Sequence, residues 1–216
     1  MSVVIIDYGS GNLRSAQKAF QRAAQEAETD VTISVSADPA SVAKADRVVL
    51  PGVGAFADCM DGLAATPGML DAFHEAVVDR AVPMLGVCVG MQLLATRGLE
   101  HKVSAGLNLI GGDVRPMKPN APHLKIPHMG WNVMEVVRTH PLLDGIPTGS
   151  DGWHAYFVHS YVIAPEVTQS IIALADHGGP FAAIVGRDNI VGTQFHPEKS
   201  QKLGLKLIEN FLSWSP

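Results

Sequence analysis

Pro83-Met84-Leu85-Gly86-Val87-Cys88-Val89-Gly90-Met91-Gln92-Leu93-Leu94 is the stretch on which the fold turns. Met84 to Val87 is an unbroken apolar run, the pattern of a strand buried on both faces. Gly90 to Thr96 opens a helix, and two glycines flank the cysteine at the junction. The same strand-to-helix unit recurs upstream. Val3 to Ile6 is a continuous apolar strand, Gly9-Ser10-Gly11-Asn12 a turn, and Leu13, Ala16, Phe20 and Ala23 share one face of the helix that follows. Val31 to Val35 reads as the second strand and Arg47 to Leu50 as the third, stopped by Pro51-Gly52-Val53-Gly54. Helical sequence occupies parts of Ala55 to Asp79, broken at Thr66-Pro67-Gly68. Such alternation predicts an α/β fold, a mostly parallel central sheet flanked by helices.

The second half predicts additional antiparallel strands. After a loop-rich stretch punctuated by Pro116, Pro119, Pro122 and Pro127 come strand-like runs at Asn132 to Val137, Ala155 to Ile163, Ser170 to Ala175, Phe181 to Val185 and Ile190 to Phe195. Short turns such as Gly178-Gly179-Pro180 and Arg187-Asp188-Asn189 separate some of them. A last helix from about Lys199 carries Leu203, Leu207, Ile208, Phe211 and Leu212 as its apolar stripe. With no linker, repeat or low-complexity tract, residues 1–216 are expected to form a single domain.

Composition narrows the function. Sixteen basic residues stand against 21 acidic ones, a formal charge of -5 with no basic run, so nucleic-acid binding through counterion release is not expected. Two cysteines make no disulfide framework. The N-terminal apolar stretch is too short for a signal-peptide core. Val82 to Ala95, interrupted by Gln92, is too short to span a bilayer. A cytoplasmic protein with free thiols is expected. Only 17% of residues are charged, below the usual ~25%, which fits either a large core or a surface reserved for another protein.

Gly86-Val87-Cys88-Val89-Gly90 has the form of a nucleophile elbow with cysteine in place of serine. A sharp turn lifts the thiol above the sheet edge, larger neighbours than glycine would collide with packed elements, and the Val89 N–H points where an oxyanion would form. A helix N-terminus also favours a thiolate. On these five residues alone, a buried cysteine in a tight turn is the simpler reading. Cys59, inside helical sequence, reads as a small apolar residue. A thiol nucleophile needs a base, and the base an orienting partner. His196-Pro197-Glu198 supplies both at the end of a strand-like run, where residues two apart point the same way. Alone, it is a loop histidine and a helix-start acid; combined with the elbow, a Cys88–His196–Glu198 triad is the favoured reading.

The loop Pro51-Gly52-Val53-Gly54 follows the third strand, and ligands in parallel sheets bind beyond the carboxyl ends of strands. Its glycines allow an N–H to be turned toward the reacting oxygen or held away from it, although a plain tight turn has the same composition. Gly9-Ser10-Gly11 fails as a dinucleotide fingerprint because Arg14 stands where the third glycine belongs. His123, His128, His154 and His159 lack metalloprotease spacing and paired cysteines, so they read as surface or structural histidines. No metal and no cofactor is expected.

The combination resembles the triad (class I) glutamine amidotransferases. More specific stretches are Asp7-Tyr8-Gly9-Ser10-Gly11-Asn12-Leu13, Pro51-Gly52-Val53-Gly54-Ala55-Phe56, Gly90-Met91-Gln92-Leu93-Leu94, Pro127-His128-Met129-Gly130-Trp131-Asn132, Tyr156-Phe157-Val158-His159-Ser160-Tyr161 and Phe195-His196-Pro197-Glu198-Lys199-Ser200-Gln201. Together they are similar to the glutaminase subunits of imidazole glycerol phosphate synthases, of histidine biosynthesis, from about residue 5 to the C-terminus. The resemblance implies that Cys88 attacks the side-chain amide of glutamine, that His196 handles the proton, and that Glu198 orients it. The amides of Gly52, Val53 and Val89 would stabilise the oxyanion. Gly54, Gln92, His159, Ser160 and Tyr161 would bind glutamine. The ammonia would pass to a (β/α)8-barrel cyclase subunit in a heterodimer, docked near Asn12, Trp131, Tyr156 and Lys199; a helix cap, a core indole, a strand aromatic and a solvated lysine are the bland readings of those four. A glutaminase serving another synthase and a stand-alone cysteine hydrolase are the alternatives.

Overall fold

The computed structural model describes residues 1–121 and 123–216. Fourteen strands are present among them: β1 (Ser2–Ile6), β2 (Thr32–Ser36), β3 (Arg47–Gly52), β4 (Met84–Cys88), β5 (Arg97–Gly98), β6 (Ser104–Ala105), β7 (Gly112–Pro116), β8 (His128–Asn132), β9 (Glu135–Val136), β10 (Ala155–His159), β11 (Tyr161–Pro165), β12 (Ile171–Asp176), β13 (Pro180–Arg187) and β14 (Ile190–Thr193). The helices are α1 (Leu13–Glu26), α2 (Pro39–Ala43), α3 (Phe56–Ala65), α4 (Met69–His74), α5 (Val89–Gln92) and α6 (Gln201–Ser213).

Eight strands form the central sheet in the order β2-β1-β3-β4-β14-β13-β12-β9. β2 through β14 in that order pair in parallel, and β13, β12 and β9 continue the sheet antiparallel. The expected mixed architecture is therefore present. The chain moves one way from β1 to β2 and the other way from β3 to β4. Right-handed crossovers then put α1 and α3 on opposite faces. That reversal leaves a crevice beyond the carboxyl ends of β1 and β3, where open α/β sheets bind ligands. The loops after β1 and β3 border it, and β4 and β14 deliver their own ends alongside.

The helices are held by their buried stripes. Ala16, Ala19, Phe20, Ala23 and Ala24 are the buried residues of α1. Phe20 meets Phe211 of α6 edge-on, with ring centroids 6.1 Å apart. Small alanines let α1 approach the sheet closely, and Phe20 fills the gap to α6.

Several expected elements differ in extent. The helix expected over Gly90 to Thr96 ends at Gln92, because the carbonyls of Leu93, Leu94 and Ala95 accept instead from the amides of Leu107, Leu109, Ile110 and Asn108. β3 runs on through Pro51 and Gly52, which lie opposite Val87 and Cys88. The run Asn132 to Val137 is divided between β8 and β9. The long run Ala155 to Ile163 breaks at Ser160: β10 pairs with β8 in a two-stranded ribbon, while β11 joins a separate four-stranded sheet, β11-β7-β5-β6. In that sheet β5 and β6 have two residues each, too few for any periodicity to announce them.

Phe20 is 2% exposed, so its removal leaves a cavity that neighbouring elements fill only in part. Phe20→Ala is expected to cost about 3–5 kcal/mol of unfolding free energy in urea titrations; a loss below about 1 kcal/mol would show that α1 is not anchored this way.

Candidate active site

Cys88 stands where β4 becomes α5, and its backbone is in the left-handed region at φ 55°, ψ −110°. A non-glycine residue there is strained and held by its surroundings. The surroundings are tight. A β-carbon on Gly86 would come within 2.7 Å of the Gly90 carbonyl oxygen, one on Gly52 within 2.7 Å of the Gly90 nitrogen, and one on Gly90 would run into the Leu50 carbonyl. The three glycines let β3 and β4 close on the first turn of α5, and that closure leaves the thiol at the sheet edge with Val89 opening the helix.

His196 follows β14, the next strand over. It is 2% exposed. The expected extended geometry for His196-Pro197-Glu198 is not found: Pro197–Lys199 is a 3₁₀ turn. The turn still returns the carboxylate to the ring, and His196 Nδ1 donates to Glu198 Oε1 at 2.9 Å. Because a carboxylate only accepts, this bond places the proton on Nδ1 and turns Nε2 toward Cys88. Burial would push the His196 pKa down; hydrogen bonds to Cys88 and Glu198 and their charges outweigh it and raise it to about 9. Ser200, to which the motif stretch assigns no role, locks the turn: its hydroxyl donates to the His196 carbonyl at 2.7 Å and accepts from the Tyr156 amide at 2.9 Å.

Beside the sulfur lies a cavity of about 300 Å³, lined by Cys88 with Val53, Gly54, Val89, Gln92, His159, Ser160 and Tyr161. Every residue expected to bind glutamine therefore reaches one space. Glu100, Pro127 and Val158 also line it; Pro127 and Val158 belong to the motif stretches but carry no expected role there, and Glu100 lies outside them. Glu100 accepts from the Phe56 amide at 2.8 Å, which caps α3 and leaves a carboxylate at the cavity wall; an acid in an irregular loop carries no periodic signal.

The loop after β3, expected to supply oxyanion donors, is held from behind. The Val53 amide donates to Ser10 Oγ at 3.1 Å, and Ser10 Oγ donates to the Val53 carbonyl at 2.7 Å. The Cys59 thiol shares that carbonyl at 3.3 Å, and the Tyr8 phenol donates to the Pro51 carbonyl. In this conformation the Val53 N–H is thus engaged outside the cavity. Burial pushes both the Tyr8 phenol and the Cys59 thiol up, which keeps them neutral donors. Cys59 is more than the apolar filler expected of it.

The residues expected at a partner interface, Asn12, Trp131, Tyr156 and Lys199, are not among those lining this cavity. On the ribbon, Trp131 faces Tyr156 across the strands with rings 5.6 Å apart, and Lys199 Nζ lies 5.8 Å from the Tyr156 ring. Trp131 is 47% exposed and Met129 62%, so the indole is not a core residue. Asn12 starts α1 without a side-chain cap bond.

His128 and His159 face each other on the ribbon's buried side. His128 Nδ1 and His159 Nε2 are 3.1 Å apart, and His159 Nδ1 donates to the Tyr161 carbonyl at 3.0 Å. Burial keeps both rings neutral, and the Tyr161 carbonyl then leaves His159 Nε2 as acceptor and His128 Nδ1 as donor. Burial lowers the His128 pKa to about 4 and the His159 pKa to about 3. His123 and His154 are exposed.

A sequence profile of the family described as glutamine amidotransferase class-I matches residues 4–214. The chain belongs to the class-I glutamine amidotransferases. This amidotransferase is 61% identical over 216 residues, the whole of both chains, to a protein of Agrobacterium fabrum named imidazole glycerol phosphate synthase subunit HisH. It is 58% identical, again over the whole of both, to a protein of the same name from Rhodopseudomonas palustris. Among solved structures, a glutamine amidotransferase superposes with a TM-score of 0.71 at 16% identity, covering 97% of each chain. Another, from Thermotoga maritima, gives 0.63 at 15% identity over 99% of this chain and 83% of its own. At such identities these two speak for the fold alone.

The histidines set an acid limit on this amidotransferase. His128 and His159 are neutral in the fold and titrate near 6.5 when unfolded, so the stability they contribute is full above pH 6.5 and is lost as pH falls through 6.5 toward 4. His196 has the opposite sign: its contribution is full below 6.5 and is lost as pH rises through about 9. In urea titrations, His128→Gln is expected to flatten the decline between pH 6.5 and 4 by about 2 kcal/mol; an acid limb as steep as the parent's would remove His128 from this role.

Proposed function

We propose that this chain is the glutaminase subunit of an imidazole glycerol phosphate synthase, with Cys88, His196 and Glu198 as its catalytic residues. The observation that carries the assignment is the strained Cys88 elbow facing a glutamate-held histidine at the mouth of a glutamine-sized cavity, in a chain that matches the named subunits over its whole length. No metal and no cofactor takes part in the proposed chemistry.

In the proposed reaction the Cys88 thiolate attacks the side-chain carboxamide carbon of glutamine. The carbonyl oxygen takes up the negative charge and the Val89 amide donates to it. Glycine on both sides of Val53 gives the Val53 peptide the freedom to turn from Ser10 and supply a second donor, with Gly52 beside it. His196 delivers its proton to the leaving nitrogen, the C–N bond breaks, and ammonia departs from a glutamyl thioester. His196 then takes a proton from water, hydroxide adds to the thioester carbon, and the C–S bond breaks to release glutamate and thiolate. Glu198 keeps the same imidazole nitrogen facing the sulfur throughout. Gln92, Ser160 and Tyr161 hold the glutamine backbone, Gly54 makes room for it, and Glu100 pairs with its α-ammonium.

Ammonia released into water would be protonated and lost as a nucleophile. The rim of Met129, Trp131, Tyr156, Lys199 and Asn12 is the proposed seat of the cyclase, a (β/α)8 barrel that receives the ammonia and forms imidazole glycerol phosphate and aminoimidazole carboxamide ribotide in histidine biosynthesis. No helix among the described residues is long and apolar enough to cross a membrane; we place the enzyme in the cytoplasm, without a nucleic-acid partner.

Cys88→Ala, assayed with the cyclase, is expected to lower glutamine-dependent synthesis by about four orders of magnitude or more while leaving ammonium-dependent synthesis intact. Undiminished use of glutamine would sink the triad. A parent chain fully active without the cyclase would instead favour the stand-alone hydrolase. The Ser10 bond to Val53 is worth about 0.5–1.5 kcal/mol, so Ser10→Ala should raise cyclase-free glutamine hydrolysis about threefold to tenfold in a coupled glutamate assay. An unchanged rate would mean that the Ser10 hydroxyl does not restrain the loop.

A further inference from the structure

Gln194 closes a chain of oriented amides on the nucleophile. It lies just beyond β14, two residues before His196, and its side chain is completely buried. Burying a glutamine amide is costly unless its polar atoms are paired, and leucine or methionine would fill the same space without that cost. Both ends of this amide are paired. Gln194 Oε1 accepts from Gln92 Nε2 at 3.1 Å, and Gln194 Nε2 donates to Cys88 Sγ at 3.8 Å.

The direction of these bonds is set by the backbone. Gln92 Nε2 also donates to the Tyr161 carbonyl at 3.0 Å, and a carbonyl can only accept. The Gln92 amide is therefore fixed with its nitrogen toward Tyr161 and Gln194. The oxygen of Gln194 must face that nitrogen, which leaves its NH2 group facing the sulfur. His159, donating to the same Tyr161 carbonyl, holds the start of the chain in place. Flipping either amide would set oxygen against oxygen or nitrogen against nitrogen.

We propose that Gln194 is a positioning residue for Cys88, its amide N–H holding the sulfur at the cavity mouth and favouring the thiolate before attack, with Gln92 as the residue that orients it. A neutral N–H donor helps a thiolate more than a thiol, because the anion is the stronger acceptor. It also adds no positive charge that would compete with His196 for the sulfur. The proposal rests on Cys88 being the nucleophile. The titratable groups around the sulfur are His196 with Glu198 behind it, Glu100 and His159 across the cavity, and Tyr8 and Cys59 beneath the oxyanion loop; the Gln194 substitution leaves each of them in place.

The test is the rate of Cys88 alkylation by iodoacetamide as a function of pH, read by mass spectrometry on the Cys88 peptide of the isolated chain, for the parent, Gln194→Met, Gln92→Met and the double variant. Gln194→Met is expected to move the curve upward by about one pH unit and to slow alkylation at neutral pH about tenfold. Gln92→Met should move it in the same direction by less, and the double variant no further than Gln194→Met. A Gln194→Met curve superimposed on the parent's, in a variant with parental circular dichroism, overturns the proposal. If Gln194→Met does not fold, Gln92→Met decides: an upward shift supports the chain of amides and a superimposed curve overturns it. A parent in which Cys88 reacts no faster than the buried Cys59 would overturn the nucleophile itself, an outcome separate from failure of Gln194 alone.

Discussion

The backbone of Cys88 is the constraint on which the site depends. A residue with a side chain occupies a left-handed conformation there, and the surrounding packing holds it. Gly52, Gly86 and Gly90 remove the three β-carbons that would keep β3, β4 and the start of α5 apart. With them gone, the strand ends close on one another, the thiol is lifted above the sheet, and the Val89 amide faces the same space. The parallel pairing of β3, β4 and β14 then brings the Gly52–Gly54 loop, Cys88 and His196 to one edge. β3 and β4 arrive by crossovers and β14 by a hairpin from β13, yet the shared strand direction leaves them neighbours.

A second dependence runs through the ribbon of β8 and β10. Alternation along two antiparallel strands gives it two faces of different character. Trp131, Tyr156 and Met129 lie on the outer one, at the proposed docking rim. His128, Phe157 and His159 lie on the inner one, buried and neutral. The ribbon ends at Ser160, where the chain crosses into another sheet and contributes Ser160 and Tyr161 to the cavity. The proposed docking rim and the proposed glutamine pocket thus share two short strands, and the Val158 carbonyl of one of them lies 3.9 Å from Cys88 Sγ.

Much of this was legible in the sequence because it depends on local chemistry. Apolar runs of four or five residues announce parallel strands wherever the sheet is covered on both faces. Glycines two residues either side of Cys88 announce a turn that admits no bulk. His196 and Glu198 are two residues apart and meet whether the segment is extended or, as found, a 3₁₀ turn. Less was legible where pairing is decided from a distance. Nothing local separates Ala155–His159 from Tyr161–Pro165, which belong to different sheets, or ends α5 at Gln92, where carbonyls are claimed by a segment some fifteen residues on. Glu100 and Ser200 looked like ordinary loop residues until the fold set one against the cavity and the other between His196 and Tyr156.

Sequence by itself determined the α/β class, the elbow and the family resemblance, and it singled out the proposed triad residues, since spacing, residue type and glycine content are properties of short segments. Tertiary structure alone decided the state of the site: which acceptor the Val53 amide serves, that Tyr8, Ser10 and Cys59 grip the loop after β3, that two histidines stay neutral while His196 is raised, and that Gln92 and Gln194 point an N–H at the sulfur. Several of those outcomes turn on the burial and direction of hydrogen bonds between residues from about 40 to more than 100 positions apart, and only the folded chain brings such groups within reach.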